Sequence, residues 1–292
     1  MNATSGTKEA GSPPGEARLA DLAVLVFGTE RDAATIAYAE RVAEGFHAHL
    51  GILFANHIVM PPRSAEAGVA SLAAEIARHG RASGDATERS LREELGRLAV
   101  ATELRRADGS LQELTQAVVQ LAGTTDLFAV SQPDAHNFGE DELLETILFT
   151  AGSAAILIPA EPARPVRAPE SILVGWRDTP ECSHAVAAAL PLLKRASQVF
   201  LVSVAEEGSE EQGREPMADM ARHLARHGVL VETREIPAWQ DVAEGLLHEA
   251  DVVESDLVVV GAYGHSRLRQ LLLGGVTRTL LRKSRVPVLM AH

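Results

Sequence analysis

Two pairs of glycines near the C-terminal end of the chain have the spacing of a main-chain anion site. Gly261 and Gly264 follow the β-branched apolar run at residues 256–260, and Gly274 and Gly275 precede a segment with helical periodicity. Glycine has no β-carbon, so a ligand or a neighbouring chain can approach the main-chain N–H groups closely. N–H groups at a helix start also carry partial positive charge, which suits a phosphate. We therefore predict an anion site between the end of a strand and the start of a helix.

The charge of this region agrees with an anion site. From Leu257 to the C-terminus the sequence has no Asp or Glu, although the whole chain has a formal net charge of −13. The basic residues of the same stretch are Arg267, Arg269, Arg278, Arg282, Lys283 and Arg285. The last three also suit a simpler interpretation, because cations are favoured near a helix C-terminus. Both interpretations stay open for those three residues.

Two predicted strands frame the glycines. The apolar run before Gly261 is typical of a strand buried on both faces, and residues 286–290 form a closing strand. With these flanks, the pattern Gly261-x2-Gly264-x9-Gly274 closely resembles the C-terminal signature of the universal stress proteins. The resemblance implies an ATP site in which the glycines contact the phosphates and the ribose. In ATP-binding members Ser or Thr follows the third glycine, whereas this sequence has Gly275.

The resemblance also implies contacts from other strands. Family members read the base with backbone near the end of the second strand, which corresponds here to Val204. They place Asp after the first strand, where this sequence has Arg177 followed by Asp178. Either Asp178 takes over that contact from a shifted loop, or the contact is lost. The full set of predicted nucleotide-binding residues is Gly261, Gly264, Gly274, Gly275, Val276, Thr277, Val204, Asp178 and His265.

The elements that would position this set occur twice along the chain. Apolar runs alternate with segments of helical period, which indicates β/α units with right-handed crossovers and a parallel sheet. The predicted strands are residues 22–27, 52–54, 100–104, 126–130 and 155–158, and then 172–174, 199–204, 229–236, 256–260 and 286–290. The sequence thus predicts an α/β fold of two tandem five-stranded parallel domains, duplicated at a period of about 150 residues.

Composition changes place the predicted domain boundaries. We expect a disordered tail at residues 1–19, a degenerate universal stress domain at 20–159, a Pro-rich linker at 160–170, and the domain with the glycine motif at 171–292. Two local features are less determined. Residues 64–99 fit one interrupted helix or two, and Pro191 should kink or shorten the helix that contains it.

The first half departs from the glycine pattern. Ser131, Gln132, Pro133 and Asp134 follow its fourth strand, and Pro133 removes an N–H donor where phosphate would approach. We therefore expect no nucleotide there and interpret this half as a structural partner in a pseudo-dimer. The strand at residues 286–290 must be covered or paired. It could pair with residues 156–158 in the same chain, or with a second chain to give a homodimer.

Composition excludes several partners. At 292 residues the chain is long enough for two ordinary domains. The charge of −13 argues against nucleic acid and against an anionic membrane surface. Cys182 is the single cysteine, so an intrachain disulfide is excluded, and no apolar run approaches the roughly 18 residues of a membrane span. We therefore expect a cytoplasmic protein.

Metal sites are not expected beyond Mg²⁺ carried by a bound nucleotide. His223 and His227 are four residues apart on a predicted helix, which is a spacing that zinc can use. No carboxylate follows them at metalloprotease spacing. We interpret both as surface histidines.

The predicted fold has three candidate functions. The first is a tandem universal stress protein that regulates or signals and binds ATP or AMP weakly, in its second half only. The second keeps the fold and the dimerising interaction but has no nucleotide. The third is a nucleotide-dependent enzyme of a related α/β class, which should show a Ser-Gly-Gly-x-Asp-Ser loop or a paired His motif after the first strand. Neither motif occurs at residues 28–32 or 175–179, so we predict no enzyme.

Overall fold

The computed structural model describes residues 18–58, 67–134, 137, 139–205, 214–262 and 275–292. In the first half the elements run in this order: β1 (Asp21–Val26), α1 (Asp32–Phe46), β2 (His49–His57), α2 (Ala67–Leu95), β3 (Thr102–Gly109), α3 (Leu111–Ala122), β4 (Leu127–Ser131), α4 (Glu140–Glu145), which continues as a π-helical turn (Thr146–Thr150), and β5 (Ala155–Ile158). In the second half they are β6 (Ser171–Gly175), α5 (Pro180–Arg195), β7 (Gln198–Val204), α6 (Arg214–Arg226), β8 (Glu232–Ile236), α7 (Val242–Val252), β9 (Leu257–Gly261), α8 (Gly275–Lys283) and β10 (Val288–Ala291).

The described strands form one ten-stranded sheet in the order β3-β2-β1-β4-β5-β10-β9-β6-β7-β8. The two halves repeat the same order outward from a central pair, which confirms the predicted α/β duplication. All neighbours are parallel except β5 and β10, whose antiparallel register joins Leu289 to Ile156 and Met290 to Ala155. The closing strand therefore pairs within the chain. Because this junction is antiparallel, the carboxyl edges of the two halves lie on opposite edges of the sheet.

Helices cover both faces of the sheet, and the strands alternate their side chains between two apolar cores. One core contains residues of α1, α2, α5 and α6, among them Ile36, Leu91 and Leu224. The other contains residues of α3, α4, α7 and α8, among them Val118 and Leu280. The central strands are buried on both faces, as expected for a parallel sheet between helical layers.

Two local expectations are now settled. The segment that fitted one helix or two is one helix, α2, and Gly84 within it lets Asn56 and Arg106 pack against the helix backbone. Of the two expectations for Pro191, a kink or a shorter helix, the shortening was wrong, since α5 continues past Pro191 to Arg195. Several strand ends also differ from prediction. The third strand begins two residues later, at Thr102, and extends to Gly109.

Among the described helices, none combines the length and the apolar character that crossing a membrane requires.

Candidate functional site

The carboxyl edge of the second half contains the point where strand order reverses. From β6 the chain goes first to β7 and β8 on one side and then crosses to β9 on the other. Ligands of open α/β sheets bind beyond the strand ends at such a point. Asp178, Val204 and Gly261 follow or end the adjacent strands β6, β7 and β9, so the topology brings these three predicted residues to one edge. Asp178 is exposed and Val204 is half-buried.

Gly261 has a packing role that the sequence did not indicate. A β-carbon added there would lie 2.6 Å from the backbone nitrogen of Cys182 and 2.7 Å from the carbonyl carbon of Glu181. The missing side chain therefore lets the first turn of α5 pack directly on the end of β9. The glycine spacing predicted that a ligand or a neighbouring chain approaches this backbone, and a neighbouring segment of the same chain occupies one side of it.

The backbone N–H groups at the start of α5 find hydrogen-bond acceptors in side chains of the same turn. Thr179 caps the helix and accepts a hydrogen bond from the backbone nitrogen of Cys182 at 3.3 Å. The pKa of Glu181 is lowered chiefly because its carboxylate accepts its own backbone N–H; the Thr179 hydroxyl and the charges of His292 and His184 also contribute. This helix start already holds an anion.

The start of α8 is different. No acidic residue lies in its first turn, and a β-carbon added at Gly275 would meet open space. Thr277, two residues on, is buried. By contrast, five other helices carry a carboxylate in the first turn: Asp32 in α1, Glu113 in α3, Glu140 in α4, Glu181 in α5 and Glu244 in α7. Helix α2, which begins at Ala67, shares with α8 the lack of a first-turn acid.

Helix α8 is fixed to α7 by polar contacts on its outer side. Asp241 caps α7 by accepting from the backbone nitrogen of Ala243 at 2.9 Å, and its second oxygen accepts from the Thr279 hydroxyl at 2.7 Å. Lys283 pairs with Glu244 one turn further along. These contacts place the second half of α8 beside the first turn of α7, so that the start of α8 extends about one turn beyond the start of α7 on the side of the carboxyl edge. Gly275, Val276 and Thr277 thus lie on the element where the sequence placed them, whereas Gly264, His265 and Gly274 lie outside the described residues.

The corresponding loop of the first half is filled by the protein itself. Strand pairing aligns Leu22 with Ile172, so that Asp32 corresponds to Cys182. The Asp32 carboxylate accepts from the backbone nitrogens of Gly28 at 2.6 Å and Thr29 at 2.8 Å, and more distantly from Phe27. Burial raises the pKa of Asp32, although these N–H groups and the charge of Arg31 oppose that shift.

An ion pair between Arg31 and the buried Glu140 lies at the same edge. Arg31 donates to Glu140 at 2.5 Å and to the carbonyl of Gln132 at 2.6 Å. Glu140 also accepts from the backbone nitrogen of Asp134 at 3.0 Å and is itself 3% exposed. Cys182, which corresponds to Asp32, has a thiol in place of the carboxylate. That thiol donates to the carbonyl of Gly175 at 3.9 Å.

Three residues near the second edge were missed by sequence reasoning. Trp176 follows β6 and is buried, and its indole nitrogen has no hydrogen-bond partner. Nδ1 of His292 donates to the carbonyl of Ala262 at 3.1 Å, and the carbonyl of His292 accepts from Nδ1 of His184 at 3.0 Å. The only signal in the sequence is the position of an aromatic or histidine residue at a strand end. The contacts themselves could not be predicted, because their partners are distant in sequence.

The histidine pair shows no metal geometry. His223 and His227 are both exposed, and their rings meet edge to face with centroids 4.7 Å apart. Within the described residues, no group of three or more His, Cys, Asp or Glu side chains could hold a metal ion.

Comparison with known proteins finds a family match in the second half of the chain. The model of the universal stress protein family matches residues 169–292. A universal stress protein of Synechocystis is 29% identical over 91 residues, which are 31% of this chain and 31% of that protein. The chain therefore spans less than a third of the curated relative that it matches.

Solved structures share the whole fold. A universal stress protein from Archaeoglobus fulgidus is 11% identical with a TM-score of 0.67, and the match covers 92% of this chain and 97% of that one. A Pseudomonas aeruginosa protein of unknown function is 15% identical with a TM-score of 0.56, covering 94% of this chain and 92% of that one. At these identities the likeness concerns the fold alone.

Proposed function

We propose that the chain, whose residues 169–292 match the model of the universal stress protein family, is a tandem stress-response regulatory protein that binds ATP or AMP weakly, in its second half only. The first half, residues 20–159, serves as a structural partner domain. The linker at 160–170 joins it to the nucleotide-binding domain at 171–292. The protein is not an enzyme in this proposal, and any metal is the Mg²⁺ of the nucleotide.

The observation that carries the proposal is the contrast between the two edges. In the first half, the Asp32 carboxylate accepts from the loop N–H groups, and the Arg31–Glu140 ion pair lies at the same edge. In the second half, α8 begins at the sheet's carboxyl edge without a first-turn acid and with open space at Gly275. A helix start without an internal anion favours an external one.

In the proposed complex the phosphates lie at the start of α8, against the main chain of Gly264 and of residues 274–277. The base lies toward Val204 at the end of β7, and the ribose lies toward Asp178 in the loop after β6. Weak binding is expected because Gly275 supplies no hydroxyl donor and Arg177 occupies the place of the family's Asp.

A second candidate is a protein of the same fold that dimerises or binds partners without nucleotide. It is favoured by Gly261, whose bare side is already filled by the first turn of α5. Under that candidate, one of the predicted phosphate contacts is a packing glycine.

Bound nucleotide separates the two candidates. The purified full chain is denatured and its supernatant is run on anion exchange, and fresh protein is titrated calorimetrically with ATP. We expect ATP or AMP in the supernatant, or a saturable binding heat. No nucleotide and no heat at millimolar ATP would leave the interaction role alone.

A matched pair of variants tests the placement of the phosphates. Gly264→Val should abolish ATP binding without unfolding the protein. Gly68→Val is the control, because an added β-carbon at Gly68 on α2 meets nothing within 4 Å. Retained affinity in Gly264→Val would mean that the phosphates bind elsewhere.

A further inference from the structure

A small cavity lies between the two halves, on the edge opposite the proposed nucleotide site. Its walls come from α1, the end of β5, the linker and the segments before β9 and β10, and they include Tyr38, Ile158, Arg164, Asp256, Arg285 and Val286. The cavity has a volume of about 20 Å³ and opens to solvent at its mouth. An interior of that size accommodates a single oxygen atom.

Tyr38 brings an unused donor to the cavity. The side chain is 2% exposed, and its hydroxyl has no hydrogen-bond partner. Buried hydroxyls are normally paired, because burial removes their bonds to water. Burial and the nearby charge of Asp256 raise the pKa of Tyr38 above its ordinary value, so the hydroxyl remains a neutral donor at physiological pH.

The one carboxylate buried in the cavity wall is already hydrogen-bonded through both of its oxygens. Asp256 accepts two bonds from Arg167, at 2.7 and 3.0 Å, on one oxygen. Its other oxygen accepts from the backbone nitrogens of Glu170 and Ser171, both at 3.1 Å. Asp256 therefore has little capacity left to accept a bond from Tyr38.

The arginines at the mouth of the cavity carry more positive charge than the neighbouring carboxylates balance. Arg164 donates to the carbonyl of Ser255 at 2.9 Å and lies 3.8 Å from the carboxylate of Asp251, which is exposed. Arg285 is exposed, and its guanidinium pairs with no carboxylate in the part of the chain that the structure describes. Its backbone carbonyl accepts from Ala163 of the linker at 2.8 Å, which fixes the residue at the mouth. The rim thus offers donors and charge to an anion.

We propose that this cavity binds a small tetrahedral oxyanion of the inorganic phosphate type. One oxygen enters the cavity and accepts from the Tyr38 hydroxyl, while the outer oxygens face Arg285 and Arg164 at the mouth. The anion would contact α1 of the first half, the linker and the second half together. This site is separate from the nucleotide site proposed above and does not depend on it.

The test uses the full chain carrying Gly264→Val, so that phosphate binding at the start of α8 does not contribute. Equilibrium dialysis with labelled inorganic phosphate should show one saturable site per chain. Adding Arg285→Gln should weaken binding roughly tenfold, as expected when a charged hydrogen bond to phosphate is lost. Tyr38→Phe should weaken it by a similar factor and should still fold, because it keeps the ring and removes an unpaired hydroxyl.

A charge-matched control isolates the site. Arg226→Gln removes another exposed arginine, from the end of α6, and should leave phosphate binding unchanged. If Arg285→Gln and Tyr38→Phe bind as the parent does, phosphate is an adventitious ion only and the proposal fails. Absence of saturable binding would overturn it as well, since a water molecule would then suffice to satisfy Tyr38.

Discussion

A β-carbon at Gly261 would overlap the backbone of α5, whereas one at Gly275 would project into open space. These two glycines of the same motif should therefore respond oppositely to the same change. Gly261→Ala should lower the free energy of unfolding by about 1–3 kcal/mol, because the clash is with backbone that cannot rotate away. Gly275→Ala should leave it unchanged or raise it by up to about 1 kcal/mol, because alanine favours the helix.

Urea denaturation of the two alanine variants beside the parent measures this difference. Equal stability of Gly261→Ala and the parent would show that α5 does not pack on the end of β9 as described.

The open space at Gly275 also predicts a gain of affinity. Gly275→Ser places a hydroxyl in the first turn of α8, where ATP-binding members of the family have Ser or Thr. If the phosphates bind at this helix start, ATP affinity should rise roughly tenfold, through one added bond to a charged group. Calorimetric titration measures the change, and thermal denaturation without ligand checks that the fold is unaltered. Unchanged or weaker ATP binding by Gly275→Ser would argue against phosphates at α8.

At the scale of elements, α4 concentrates carboxylates that repel one another. Burial, followed by the charges of Asp141 and Glu142, raises the pKa of Glu145. Burial and Glu140 likewise raise the pKa of Asp141, against the opposing charge of Arg282. A carboxyl with a raised folded-state pKa binds more protons folded than unfolded, so its contribution to stability increases as the pH falls toward its ordinary pKa.

Glu145→Gln should therefore raise the melting temperature at pH 7, and its advantage should shrink as the pH falls toward the ordinary glutamate pKa of 4.5. Melting curves of both proteins from pH 7 to pH 4.5 measure this. Glu30→Gln, which removes an exposed charge outside the cluster, should show a much smaller effect at pH 7. An advantage of Glu145→Gln that is constant with pH would contradict the repulsion.

The elements themselves were largely predictable, because apolar periodicity records burial directly. The strand Ala155–Ile158 was located to the residue, and its pairing with the last strand was foreseen as one of two arrangements. Strand ends such as those of β3 were not predicted correctly, since they depend on neighbouring strands that are distant in sequence. The expected shortening of α5 at Pro191 does not occur for a similar reason: the packing of α5 on the sheet outweighs the local preference of one residue.

The candidate site was less predictable than the fold. The sequence located α8 and the ends of β7 and β9 to within one residue, because glycines and missing acids are visible in one segment. It could not show that Asp32 folds back onto its own loop, or that α5 fills the side of Gly261. Both depend on backbone geometry that residue types alone do not specify.

At the scale of the whole molecule, the β5–β10 junction makes the two halves one continuous sheet. Both tryptophans, Trp176 and Trp239, lie in the second half. Tryptophan fluorescence therefore reports the second half, while far-ultraviolet circular dichroism reports both. We expect the two signals to follow a single coincident transition in urea. Separate midpoints would show that the halves unfold independently despite their shared sheet.

The repeated fold also carries the central claim, which is that one edge of the sheet has kept a ligand site and the other has been filled by side chains. Calorimetric titration of the full chain with ATP tests this most directly, through the number of sites per chain. The account predicts one weak site, which Gly264→Val abolishes. Two sites, or one site that survives Gly264→Val, would contradict it.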